Sequence, residues 1–263
     1  MLPTPSTSHV CFDRVYEPAE DSFLLLDTLS SATETAFLHT RFSGHSTPGH
    51  VDGKTASDAP LILEVGVGSG VVLAFVAANS RTLFGRDDIL ALGTDINGFA
   101  CQAAACTLET ACHAQNGSAI FLDVANADLA SSVMSFSVDV LIFNPPYVPA
   151  ELPDLRLHDR YNFLSPSQKK TSFDQDSYLL SLSYAGGPDG MEVTNRMLEE
   201  LPRILHPSRG VAYILLCAQN KPDEVKQRIR NWGYGWLAET VGSSGKQAGW
   251  EKLQIVRIWK PIS

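Results

Sequence analysis

The sequence predicts an α/β fold: a seven-stranded, mostly parallel sheet with helices on both faces and an antiparallel strand at its C-terminal end. Two observations carry that prediction. Short apolar runs alternate with longer helical stretches, the pattern of βαβ units in which a parallel sheet is buried between helices. A glycine-rich loop joins the first of these runs to a helical stretch. At 263 residues, with 44% hydrophobic and 19% charged composition, the chain can bury one large core, and residues 1–263 are expected to form a single domain.

Six strands can be placed, at 61–65, 89–93, 119–122, 138–143, 211–217 and 253–259, the last two ending the sheet. Helices should begin near Pro18, Gly70, Gly98, Asp189 and Pro222. Pro18 has a φ suited to a first turn, and Glu20 and Asp21 set negative charge against the positive end of the helix dipole. Two stretches break the alternation. Residues 31–60 are rich in Ser, Thr, His and Gly, and residues 151–176 are polar and mixed in charge, so both are predicted as long loops or insertions. The second is placed either to shape a substrate pocket as a lid or to hang free.

Composition narrows the partners. Twenty Lys and Arg stand against 29 acids, a net charge of -9, which argues against unaided binding along a phosphate backbone. A small or protein substrate fits better. The five cysteines, at 11, 101, 106, 112 and 217, lack the paired spacing of a zinc site or a disulfide framework; reduced, buried thiols and no metal site are expected. The N-terminal MLPTPSTSHV has no basic region followed by an apolar run, and no stretch approaches the ~18 apolar residues of a membrane span. The expected location is the cytoplasm, with the nucleus second.

Leu63-Glu64-Val65-Gly66-Val67-Gly68-Ser69-Gly70 follows an apolar strand and opens a helix. Its glycines let the backbone turn sharply and approach a ligand with no Cβ in the way. A dinucleotide fingerprint would need G-x-G-x-x-G, but position 71 is Val. The spacing favours S-adenosylmethionine (SAM), for which the loop lies flat against methionine and ribose. Asp95, in Gly93-Thr94-Asp95-Ile96-Asn97, stands at the carboxyl edge of the next strand, where open α/β sheets bind ligands. Its carboxylate can accept from two ribose hydroxyls, or alternatively cap the helix from Gly98. After the third strand, Asp128 can accept from an adenine amino group while the Leu129 N–H donates to a ring nitrogen, and Asp123 competes for the same role. Glu64, Asp95 and Asp128 together suit a ligand carrying a sulfonium and an ammonium group.

Asn144-Pro145-Pro146-Tyr147 closes the fourth strand and faces the same crevice. Consecutive prolines fix φ and offer no N–H, so the carbonyls form a rigid acceptor platform. A planar nitrogen is a poor nucleophile because its lone pair is delocalised. With the Asn144 side-chain oxygen accepting one N–H and the Pro145 carbonyl the other, it is held toward a methyl group, and the positive charge that develops is favoured. Tyr147 can pack on the flat face of the substrate. Such a clamp also suits an adenine amino group once the base is flipped out, so adenine N6-methylation of DNA or RNA is the alternative, with protein lysine methylation a further one. A silent SAM-binding subunit would have no chemical reason to keep the clamp.

Together these segments resemble the eukaryotic and archaeal branch of the HemK-type methyltransferases. The resemblance rests on Tyr16-Glu17-Pro18-Ala19-Glu20-Asp21-Ser22 and the 23–27 run after it, on 63–70, 94–97, 105–111 and 144–148, and on Ala185-Gly186-Gly187, Gly190 and Ala248-Gly249. It implies a Rossmann-like class I methyltransferase fold and transfer of a methyl group from SAM to the glutamine of the Gly-Gly-Gln motif in class I translation release factors. It also implies that Tyr16 and Ser22 help close the SAM pocket, that Glu64, Gly66, Gly68, Asp95, Ile96, Asp128 and Leu129 hold the cofactor beside Asn144, and that Asn144 to Tyr147 hold the glutamine amide. Finally, it implies a heterodimer with a small zinc-binding methyltransferase activator that pairs with the edge strand, here 119–122, an apolar run that would invite aggregation if bare. The two insertions depart from the short family pattern.

Overall fold

The computed structural model describes residues 2–42, 59–114, 119–164, 168, 170–244 and 252–262. Helices α1 (Glu20–Leu29) and α2 (Ala32–Phe42) precede β1 (Leu61–Val65). There follow α3 (Val71–Ala78), α4 (Ser80–Phe84), β2 (Leu90–Asp95), α5 (Gly98–Ala114), β3 (Ile120–Asn126) and β4 (Val140–Phe143). After β4 come a 3-10 turn at Leu155–Leu157, α6 (His158–Tyr161), α7 (Phe173–Tyr184) and α8 (Glu192–Ile204). The chain ends through β5 (Val211–Cys217), a 3-10 turn at Ala218–Asn220, α9 (Pro222–Arg230), β6 (Leu237–Ser243) and β7 (Leu253–Trp259).

The strands form one seven-stranded sheet in the order β3-β2-β1-β4-β5-β7-β6. β1 to β5 run parallel, and β7 is antiparallel to both β5 and β6. β4 and β5 are buried along their whole length, which is why they read as unbroken apolar runs. One sheet face packs on α1, α3 and α5 through residues such as Leu25, Leu73 and Leu108; the other packs on α8 and α9 through Met197, Leu201 and Ile229. The chain leaves β1 for β2 and β3, then returns to β4 on the other side of β1. That reversal is the switch point, and Val65 lies beside Phe143 there. The glycine loop and the Asn-Pro-Pro-Tyr loop therefore emerge side by side.

Several expectations need correction. β7 does not end the sheet: it lies between β5 and β6, and β6 is the edge. β6 escapes sequence reading because a half-exposed edge strand carrying Glu239, Thr240 and Gly242 offers no apolar run. The stretch expected as a loop at 31–60 begins with α2, and its residues 43–58 lie outside the described residues. α2 buries Glu34, Leu38 and Phe42 at four-residue spacing, but the first of these is charged, which hides the stripe. Glu34 accepts from the Tyr213 hydroxyl at 2.8 Å and pairs with Arg257 Nη1 at 2.8 Å. The expected loop at 151–176 contains α6 and the start of α7, which Ser172 caps by accepting from Gln175 N. Against the expectation of buried thiols, Cys11 and Cys106 are exposed; all five are free. Ala248 and Gly249 lie outside the described residues.

Candidate active site

The loop from β1 to α3 is set by three left-handed glycines, Gly66, Gly68 and Gly70, at φ of +65°, +52° and +80°. Gly70 is also a packing requirement, since a Cβ there would stand 2.7 Å from the Ala104 backbone of α5. Glu64, at the end of β1, is buried and accepts from Leu73 N at 2.8 Å, tying the first turn of α3 to the sheet. Burial holds its carboxyl well above the usual range. Asp95 accepts from Gly68 N at 2.9 Å and Asn97 N at 2.8 Å. Burial lifts it to about 6, against the pull of those N–H groups toward the charged form. Asp95 thus holds the glycine loop itself. The cap of α5 falls to Asn97, whose Oδ1 accepts from Phe99 N at 3.0 Å, so the capping alternative for Asp95 is not the one realised.

Of the two candidates after the third strand, Asp128 lines the cavity and Asp123 does not. Asp123 lies within β3 and accepts from Val124 N at 2.7 Å. Asp128 forms a half-exposed ion pair with Arg196 of α8. Leu129 takes a left-handed φ of 51°, an uncommon conformation for leucine.

The end of β4 presents Asn144. Its Nδ2 donates to Asp21 Oδ2 at 3.0 Å, and its Oδ1 is buried with no hydrogen-bond partner among the described residues. A carboxylate only accepts, so Asp21 fixes which way the Asn144 amide faces: nitrogen toward α1, oxygen free. Asp21 is 3% exposed, and its Oδ1 accepts from Ser22 N at 2.6 Å. Sequence reading placed Asp21 only in a favourable first turn and within the Tyr16 to Ser22 motif. The motif was the available signal, but nothing in it gives the contact with position 144.

A second support comes from 184–190. Val148 N donates to the Tyr184 carbonyl and Gly186 N to the Val148 carbonyl, both at 2.9 Å. A Cβ at Gly186 would collide with the Pro146 carbonyl, and one at Gly190, where φ is +66°, with that of Tyr147. Asn220, buried beyond β5, donates to the Tyr147 carbonyl at 3.3 Å and to that of Gly190 at 3.2 Å. The prolines are therefore braced from outside, by Gly186 and Gly190, which belong to the residues carrying the family resemblance, and by Asn220, which the sequence did not single out.

Tyr16, Ser22, Glu64, Gly66, Gly68, Asp95, Ile96, Asp128, Leu129, Asn144, Pro145, Pro146 and Tyr147 all line one cavity of about 380 Å³. That size and mixed lining suit a small-molecule ligand. The donor set fits SAM on three counts: glycine backbone free of Cβ atoms, buried carboxylates for hydroxyl and ammonium donors, and an unsatisfied amide oxygen at the Asn-Pro-Pro-Tyr loop.

No family model matches the chain. It is 33% identical to "Methyltransferase HEMK2" of Mus musculus, over 98% of this chain and 97% of that protein. It is 30% identical to "eRF1 methyltransferase catalytic subunit mtq2" of Schizosaccharomyces pombe, over 99% of this chain and 96% of that protein. It is 28% identical to "Putative protein N5-glutamine methyltransferase MJ0928" of Methanocaldococcus jannaschii, over 94% and 92%.

Proposed function

Because the chain belongs to the HEMK2 and Mtq2 family of HemK-type release factor glutamine methyltransferases, we propose that it N5-methylates the glutamine of the Gly-Gly-Gln motif of the eukaryotic class I release factor. It is a SAM-dependent methyltransferase. The observation that carries the choice of a planar nitrogen is the buried, unpartnered Asn144 Oδ1, held outward by Asp21.

Bound SAM supplies an electrophilic methyl group on a sulfonium. The chain's own residues supply position and polarity. Asn144 Oδ1 accepts one N–H of the glutamine amide and the Pro145 carbonyl accepts the other, which orients the nitrogen and favours the charge it gains on attack. Tyr147 packs on the amide plane, and Glu64, Asp95, Asp128, Ile96 and the Leu129 N–H hold the cofactor, with Tyr16 and Ser22 closing its pocket. No strong base is required before attack, because the nitrogen proton becomes acidic once the methyl has transferred.

The proposal extends to a heterodimer with a small zinc-binding activator that adds a strand to β3. β3 is the free edge next to β2, and Ile120 and Leu122 on it are 53% and 47% exposed, an apolar edge that a partner would cover. The same reading puts the enzyme in the cytoplasm, where release factors act, with the nucleus second.

The test is transfer of a labelled methyl group to purified release factor, with and without the activator. Wild-type enzyme should label the Gly-Gly-Gln factor and not its Gly-Gly-Ala variant, and Asn144→Ala should slow transfer to a small residual rate. Equal labelling of the two factors, or full activity in Asn144→Ala, would overturn the reading.

A further inference from the structure

The stretch after the Asn-Pro-Pro-Tyr loop touches the cavity at one end and the turn between β2 and α5 at the other. Leu152, Pro153 and Leu155 wall the cavity. Further along, Asn162, 3% exposed, lies against the turn between β2 and α5. Its Oδ1 accepts from Gly98 N at 2.6 Å, and its Nδ2 donates to Asn126 Oδ1 at 3.0 Å. Asn126 passes the contact on, donating from Nδ2 to the Asp95 carbonyl at 2.9 Å and the Ile96 carbonyl at 2.8 Å. One side chain thus heads a hydrogen-bond chain that ends on the two residues of the β2 turn facing the cavity.

The segment is docked rather than loose. Gln175, buried on α7, donates to the Tyr161 carbonyl at 2.7 Å and the Phe163 carbonyl at 3.3 Å. Asn162 N donates to the His158 carbonyl at 2.8 Å, and the Tyr161 and Tyr178 rings pack at a 59° tilt with centroids 5.4 Å apart. Phe163 covers Gly98 so closely that a Cβ at 98 would collide with its ring.

We propose that Asn162 is a positioning residue for the cofactor, and that residues 151–164 thereby tie the wall of the cavity to SAM affinity. The physical reason is that the Asp95-Ile96 turn carries backbone carbonyls and an N–H that need fixed partners if the Asp95 carboxylate is to point at one place. Asn162 supplies the N–H's partner directly and orients Asn126 for the carbonyls. It does not line the cavity, so it acts through the turn and not on the ligand.

The inference rests on the cavity being the SAM site, and calorimetric titration with S-adenosylhomocysteine separates the two. A wild-type protein that does not bind it refutes the cofactor reading itself. With wild-type binding established, Asn162→Ala should weaken affinity about ten-fold and raise KM for SAM similarly, with kcat at saturating SAM within two-fold. Asn126→Ala should do the same. Because Asn126 reaches the carbonyls only as Asn162 orients it, the double variant should be no weaker than Asn162→Ala alone, which a general loss of packing would not produce. Should Asn162→Ala fail to fold, Asn162→Asp, which keeps the acceptor for Gly98 and loses the donor to Asn126, decides the question. Unchanged affinity in the folded variant, a loss in kcat alone, or additive losses in the double variant overturn the proposal.

Discussion

Replacing Asp21 by Ala tests whether the orientation of Asn144 is what makes the catalytic loop work. In the folded chain Asn144 Nδ2 donates to Asp21 Oδ2 at 3.0 Å, and Asp21 is 3% exposed, so water cannot freely take over as acceptor. Without Asp21 the correctly facing amide leaves that N–H buried and unpaired at a cost of about 1–3 kcal/mol, while the turned-over amide sends it into the cavity and buries a carbonyl, which tolerates a missing partner better. A flipped amide presents N–H to the substrate N–H and turns the clamp's acceptor into a donor. At ~1.4 kcal/mol per factor of ten, the correctly facing fraction should fall by about ten- to a hundred-fold. Single-turnover methyl transfer at saturating SAM should show that loss in rate, while S-adenosylhomocysteine binding changes by less than a factor of about three. Asp21→Asn should recover little of it, because its one oxygen cannot serve both Ser22 N and Asn144 Nδ2 and its amide nitrogen can donate to a turned-over Asn144. In the Asn144→Ala background Asp21→Ala should have no further effect, because Asp21 acts through Asn144. A rate within two-fold of wild type, or a further loss on the Asn144→Ala background, refutes the reasoning.

Three further outcomes are expected. Glu34→Ala removes one partner of a buried ion pair that Arg257 and the Tyr213 hydroxyl complete, and should cost about 3–5 kcal/mol in urea unfolding, with Arg257, set among aromatic rings, left only its 3.5 Å contact with Glu239. Asp95 sits near 6 in the folded chain, above the 3.8 of an exposed Asp, so the folded state binds more protons between these values and stability falls as pH rises through that window. Asp95→Asn should flatten this part of the pH profile of unfolding. Ligand affinity should move oppositely in wild type, strengthening from pH 5 to 7 as the carboxylate that accepts from ribose becomes charged, and a flat calorimetric profile would contradict that role. Ile120→Glu with Leu122→Glu should make the isolated chain more soluble and abolish co-elution with the activator in gel filtration; persistent co-elution would exclude β3 as the docking edge.

The local part of this protein was legible in its sequence. β1, β5 and β7 occupy the spans expected of them, because strands buried on both faces must be apolar at nearly every position. The glycine loop and Asn144 to Tyr147 were legible for a related reason: backbone conformations that need Gly or Pro are written in adjacent residues. Elements whose inward positions are polar were not. α2 turns Glu34 inward and β6 exposes half its length, and in each case the one-dimensional pattern of a buried face is interrupted.

What the sequence determined, then, is a strand-loop-helix frame carrying a glycine turn and a proline-fixed acceptor at the carboxyl ends of neighbouring strands. What only the tertiary structure decided is how the acceptor is aimed and what holds the turn. Asp21 meets Asn144 across 123 residues, Asn162 meets Gly98 across 64, and Asn220 meets Tyr147 across 73. A buried hydrogen bond from a side chain to a partner far along the chain leaves no periodicity, since the Asp or Asn alone has the composition of a solvated surface residue. Its identity as a site component exists only once burial has removed water and left a single partner within reach.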